Sequence, residues 1–265
     1  MKYAIIGAGG TGGSLGFFLT KAGKDVTLIA RGKHLEAIRK NGLGMERLWD
    51  HKREMIPVKA CTVEEYSDTP DVILVCVKGY SMTETIPVIR KLAGKDTVVF
   101  PILNIYGTGG KLQKEFPELT VPDGCIYVSA NILEPGVILR HGKILRVVFG
   151  ARKPEEETEK MREIAKDMAC ENIEVILSED IRRDAMVKFS YVSAMGIEFQ
   201  EDLVERNLKI VAPLAPEATT SMQRDVYAGK KSEIDGLVYE IVRLGKEYGV
   251  PLPEYEKAAA RFHEQ

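Results

Sequence analysis

Residues 2–31 read KYAIIGAGGTGGSLGFFLTKAGKDVTLIAR, and the fold is decided there. Tyr3-Ala4-Ile5-Ile6 is a short apolar run of the kind that makes a strand buried on both faces. It passes straight into Gly7-Ala8-Gly9-Gly10-Thr11-Gly12, which has the spacing G-x-G-x-x-G. Leu15, Phe18, Leu19 and Ala22 then recur at helical spacing, and Gly23 marks a stop. Asp25-Val26-Thr27-Leu28-Ile29 is a second strand. Glycine-rich turns are common, but one lodged between strand and helix predicts a dinucleotide site. Gly7 allows the tight turn, Gly9 lets backbone approach a pyrophosphate, and Gly12 lets helix and strand pack closely. With Ala8, Gly10 and Thr11 they lead into a helix start whose free N–H groups and dipole attract phosphate.

The end of the second strand selects the nucleotide. Sites for NAD place an acid there to hold the ribose 2′-hydroxyl. This strand ends Ile29-Ala30-Arg31-Gly32-Lys33, with no acid and two cations. A guanidinium donates two parallel hydrogen bonds to a phosphate, so Arg31 predicts NADP(H). The bland alternative is a solvated surface arginine.

The 265 residues can hold one large or two modest domains. A net charge of −2 gives no reason to expect nucleic acid or an anionic membrane as partner. Cys61, Cys76, Cys125 and Cys170 are scattered, without C-x-x-C pairs or clustered histidines, so no metal is expected. Buried, reduced thiols, no signal peptide and no apolar run of membrane length predict a cytoplasmic protein.

Further strands are expected over 56–60, 71–77 and 98–100, alternating with helices over 34–40 and through Ile86, Ile89 and Leu92. Pro57 suggests an edge strand, and Pro87 a late or kinked helix start. Residues 43–55, with Trp49 and His51, read as polar and irregular. Short strands follow at 125–130, 137–140 and 144–149, separated by turns at Glu134-Pro135-Gly136 and His141-Gly142-Lys143. A helix over 154–168 precedes a strand at 173–177 that would close the sheet. From Ser178 onward only helical periodicity remains. The expected class is α/β, a Rossmann-type parallel sheet domain over 1–177 followed by an all-helical domain over 178–265.

Ligands of such sheets lie beyond the carboxyl ends of the strands, where Arg31, Lys78 and Asn104 sit. Lys188 is the one charged residue from Ala185 to Ile197, on a helix seam with Ile181, Ala185, Val192 and Met195. Lysine is seldom buried unpaired; either its stem snorkels to solvent, or the ammonium faces a cleft. Ketone reduction requires such a cation, because charge builds on the carbonyl oxygen as hydride arrives. Glu233 falls in Ser232-Glu233-Ile234-Asp235, where a Ser232–Asp235 cap is expected to open a helix; a first-turn Glu can also serve the dipole alone.

Taken in order, GAGGTGG, Arg31, Val77-Lys78, Asn104, Lys188, Ser221-Met222 and Ser232-Glu233-Ile234-Asp235 resemble ketopantoate reductase (2-dehydropantoate 2-reductase) over nearly the whole chain. The resemblance implies NADPH-dependent reduction of a 2-keto acid, a step of pantothenate biosynthesis. It also implies a helical domain like that of 6-phosphogluconate dehydrogenase. By resemblance Lys188 is the catalytic acid, Asn104 touches cofactor and substrate, and Ser221 binds substrate. Glu233 lies near the nicotinamide ribose and reacting centre, and Ser129 falls near a further cofactor contact. A homodimer is compatible with the resemblance.

The departures are specific. Asparagines expected one and two turns beyond the lysine are Val192 and Gly196, and one expected before Ser221 is Ala218. Asn104 stands in Asn-Ile-Tyr-Gly rather than Asn-Gly-x-Gly. Lys188 and Glu233 are also closer in sequence than in the family, as if a segment near 196–197 were missing. Two other readings therefore stand beside ketopantoate: another 2-oxo acid as substrate, or a non-catalytic NADP(H)-binding sensor.

Overall fold

The computed structural model describes residues 1–103, 105, 107–181, 184 and 220–263. It divides into two units, Met1–Arg182 and Arg183–Gln265.

In the first unit β1 (Lys2–Ile6), α1 (Gly10–Lys21) and β2 (Asp25–Ile29) form where the opening stretch predicts them. Then come α2 (Gly32–Asn41), β3 (Leu43–Arg47), β4 (Arg53–Ile56), β5 (Lys59–Cys61) and β6 (Val72–Val75). α3 (Met82–Leu92) starts ahead of its internal Pro87, and β7 (Val98–Pro101) follows. The first sheet has the order β5-β2-β1-β6-β7, parallel throughout. Chain order reverses direction between β1 and β6, and the crevice there is where open α/β sheets receive ligands.

This sheet is apolar on both faces because its residues alternate with period two. Tyr3, Ile5, Val72 and Leu74 pack on one face with Leu15 and Leu19 of α1. Ala4, Ile6, Ile73 and Val75 pack on the other with Ile89 and Leu92 of α3. Burial on both sides explains why the strands read as unbroken apolar runs.

After α4 (Thr108–Glu115), a second sheet is built around a long hairpin of β8 (Asp123–Glu134) and β9 (Val137–Gly150). β9 pairs antiparallel with β8 along one edge. Its other edge is shared in parallel by β3 and, beyond α5 (Glu159–Met168), by β10 (Glu174–Leu177). The side chain of Thr158 caps α5 by accepting from the Met161 N–H, so the helix starts later than residue 154.

Four expectations are corrected here. Residues 43–55 are not irregular: β3 and β4 form an antiparallel pair, and β4 hides in the sequence because three of its four residues are exposed. The strand expected over 56–60 is two strands in different sheets, parted at Pro57-Val58, because proline cannot donate to a ladder. His141-Gly142-Lys143 does not end a strand. Instead Val128 faces Leu145 while Ala130 faces Arg140, so residues 141–144 bulge opposite Ser129. Finally, β10 joins the second sheet beside β9 rather than the first.

In the second unit, α6 (Ser221–Tyr227) is opened by a capping box in which Thr220 and Gln223 satisfy each other's backbone N–H groups. A π-helical turn over Asp235–Tyr239 runs into α7 (Glu240–Glu247), and α8 (Pro253–His263) follows. The Ser232–Asp235 cap does not form: this turn has no side-chain cap hydrogen bond, and its first backbone bond runs from Leu237 N–H to Glu233 C=O at 3.0 Å.

Candidate functional site

β1 ends in a turn that side chains would obstruct. Gly7 has φ +96°, and a Cβ there would stand 2.9 Å from the Cys76 carbonyl oxygen. At Gly12 a Cβ would lie 2.0 Å from the Gly7 carbonyl oxygen and 3.0 Å from Ile5, so α1 sits on β1 as closely as backbone allows. At Gly9, by contrast, a Cβ would meet nothing within 4 Å. The loop is tight where helix meets strand and open where a pyrophosphate would approach. Thr11 lies in the first turn of α1, which carries no acidic residue to oppose an anion.

Arg31 and Lys78 flank this loop, because β2 and β6 flank β1. Arg31 is the N-cap residue of α2. It and Lys33 are exposed, and neither side chain makes a hydrogen bond or ion pair with a described residue. Lys78 follows β6 and is half-buried at the start of a 3-10 turn, its carbonyl accepting from the Ser81 N–H at 2.9 Å. Ser129 is exposed at the break in the β8–β9 ladder. Its neighbour Ala130 lies against the loop, since a Cβ on Gly10 would stand 2.3 Å from the Ala130 carbonyl oxygen. The structure thus gathers Gly7 to Gly12, Arg31, Lys78 and Ser129 at one end of β1.

Asn104 and Lys188 lie outside the described residues. Ser221 is the first residue of α6, and Glu233 is 9% exposed just ahead of the π-helical turn in the second unit.

His34 has a place that sequence reasoning missed. Its Nδ1 accepts from the Gly136 N–H at 3.0 Å, so the neutral ring carries its proton on Nε2 and donates to the Ala8 carbonyl at 2.9 Å. It therefore ties the glycine-rich loop to the β8–β9 turn. Burial pushes its pKa below the usual value, opposed by the Ala8 contact. Nothing in the local sequence marks it, because both partners are remote.

Behind the loop, Cys76 is a buried free thiol whose pKa burial pushes up, which makes it unreactive. Cys61, Cys125 and Cys170 likewise form no disulfide. Among the described residues no three metal-ligating side chains cluster, and no helix is long and apolar enough to cross a membrane.

The family model described as ketopantoate reductase PanE/ApbA matches residues 3–154, and that of its C-terminal part matches residues 144–264. The 2-dehydropantoate 2-reductase of Mesorhizobium japonicum is 28% identical, with 98% of this chain and 96% of that protein covered. That alignment runs over 317 residues against the 265 here, so the relative carries stretches this chain lacks. A PanE/ApbA family ketopantoate reductase from Ralstonia eutropha shares the fold, with TM-score 0.86, 24% identity, and 99% and 97% of the two chains covered. So does a D-mandelate dehydrogenase solved with NADH and anilino(oxo)acetate, with TM-score 0.85, 22% identity and 100% and 98% covered. With one family model matched through the glycine loop and both strands flanking it, and its C-terminal companion matched through the helices beyond, this chain belongs to the ketopantoate reductase family of oxidoreductases.

Proposed function

We propose that this chain is an NADPH-dependent 2-keto acid reductase that converts ketopantoate to pantoate. The observation that carries the cofactor choice is the pair of exposed, unengaged cations at the end of β2, with no carboxylate in Ile29-Ala30-Arg31-Gly32-Lys33. Arg31 would hold the 2′-phosphate, and Gly7 to Gly12 the pyrophosphate; the open space at Gly9 and the acid-free start of α1 fit that group. Lys78, Asn104 and Ser129 would complete the cofactor contacts. Bound there, NADPH would supply the hydride.

The chain's own work would be done from the helical half. Lys188 would donate a proton to the carbonyl oxygen as negative charge grows on it, and Glu233 would sit beside the reacting centre. Asn104, Ser221 and Lys188 would hold the keto acid. The catalytic domain would begin near residue 178, with the sheet domain before it.

A second substrate reading has its own support. By the resemblance, Val192, Gly196 and Ala218 stand where asparagines would hold the substrate's hydroxyl and carboxylate. The fold is also used by a D-mandelate dehydrogenase, a protein of different substrate. The test is NADPH oxidation at constant pH over a panel of 2-oxo acids, ketopantoate first. Highest kcat/KM with ketopantoate supports the proposal; highest kcat/KM with an aryl or branched 2-oxo acid transfers it to that substrate. No oxidation with any of them, with NADPH still bound, leaves a nucleotide-binding sensor.

A further inference from the structure

A second concave site lies on the first unit, away from the glycine loop. It is a cavity of about 620 Å³ between the middle and end of α1, the β3–β4 hairpin and β9. From Gly10 to Phe18, which lines it, α1 rises about 12 Å at 1.5 Å per residue.

Arg140 is the unusual member of its lining. It is 2% exposed, and its guanidinium stacks over the rings of Phe18 at 5.0 Å and Trp49 at 5.7 Å. One Nη donates to the Lys143 carbonyl at 2.7 Å, while the buried Nε has no partner among the described residues. No described carboxylate pairs with it. A buried charge is ordinarily paired, and among the described residues this one has no such partner. Burial lowers its pKa, and the like charge of Arg47 adds to that.

The rest of the lining leans the same way. Lys21, Arg47 and Arg53 are neutralised by Glu54, Asp50 and Glu46, at 2.6, 3.1 and 2.7 Å. Lys52 and Lys143 make no side-chain pair with a described residue, and both are exposed at the rim. Beyond Glu54, already paired, Glu171 is the one carboxylate among the described residues that line the cavity. Three uncompensated cations thus converge on one hollow in a chain whose net charge is −2.

We propose that this cavity binds a small polyanion, a metabolite with two or more phosphate or carboxylate charges, at a site separate from the dinucleotide cradle. The anion would pair with Arg140 at the floor and with Lys52 and Lys143 at the rim, completing the donors that the protein leaves unmatched.

Trp49 is the only tryptophan of the chain and lines the cavity, so its fluorescence reports on this site. The full-length protein is titrated with pyrophosphate and separately with citrate, ionic strength held constant with NaCl. The expected result is a saturable change with a midpoint below about 1 mM. It should persist in saturating NADP⁺, and its midpoint should rise about tenfold or more in the doubly substituted Lys52→Glu, Lys143→Glu protein. Those two side chains are exposed, so the variant should fold. Response to pyrophosphate alone assigns a phosphate ligand, and response to citrate alone a polycarboxylate. No change beyond the NaCl control, loss of the response in NADP⁺, or an unaltered midpoint in the variant overturns the proposal.

Discussion

Adding one methyl group at either of two glycines in the same loop should have opposite consequences. At Gly12 the new Cβ would lie 2.0 Å from the Gly7 carbonyl oxygen, with Cys76 and Ile5 both at 3.0 Å. Relief requires backbone to shift by about an ångström inside a packed helix–strand contact, an overpacking cost of about 1–3 kcal/mol. For a unit of this size each kcal/mol lowers Tm by about 2–4 °C, so Gly12→Ala should melt roughly 2–12 °C lower. Gly9 has φ −73° and ψ −163°, which any residue adopts, and its Cβ would meet nothing within 4 Å. Gly9→Ala should leave Tm unchanged or raise it slightly, since alanine restricts the unfolded chain by about 0.4–1 kcal/mol. Its methyl would occupy the space a pyrophosphate must enter. Losing one charge-assisted hydrogen bond there, about 1.5–3 kcal/mol, weakens NADPH binding by roughly 10- to 100-fold. Thermal melts and NADPH fluorescence titrations of the two variants read both effects. An unchanged NADPH affinity in Gly9→Ala, or an unchanged Tm in Gly12→Ala, refutes this reading of the loop.

Three further outcomes are expected. Arg31→Asp should turn the kcat/KM preference from NADPH toward NADH, and an unchanged ratio would remove the 2′-phosphate contact. Tyr3→Phe breaks the 2.6 Å bond to Asp167 from a residue 1% exposed; Asp167 keeps Lys24 at 2.8 Å, so the loss in urea-derived stability should be about 1–2 kcal/mol. His34 has a folded pKa below the usual 6.5, so the unfolded chain binds its proton first. Its contribution is complete above about pH 6.5 and is lost as pH falls from there toward the folded value. The difference in urea midpoint between wild type and His34→Gln should therefore grow at neutral pH and shrink in acid; a pH-independent difference would dismiss the role of the neutral ring.

What the sequence made legible was whatever is decided locally. The turn, helix and strands of residues 2–31 are specified by nearest neighbours, and the buried strands by their apolar runs. The second sheet was harder to read because its pairing is remote: β3 joins β9 across some ninety residues of chain, and β4 looks polar because it is exposed. Ser129 gains its place beside the loop only through the hairpin that carries it there. His34 and Arg140 were invisible for the same reason: each is defined by groups far away in sequence, Gly136 for one, Phe18 and Trp49 for the other. Of the candidate site, the glycine loop and the cations at the strand ends beside it have described positions, whereas Asn104 and Lys188 lie outside the described residues and rest on the resemblance.

The most direct measurement is on Lys188→Ala: initial rates of NADPH oxidation with ketopantoate alongside NADPH affinity by fluorescence titration. A general acid contributes about 10²- to 10⁴-fold, so kcat should fall by at least the lower figure while the NADPH Kd stays within about twofold of wild type. Wild-type turnover in that variant would contradict the assignment of the proton donor and, with it, the proposed route of keto acid reduction.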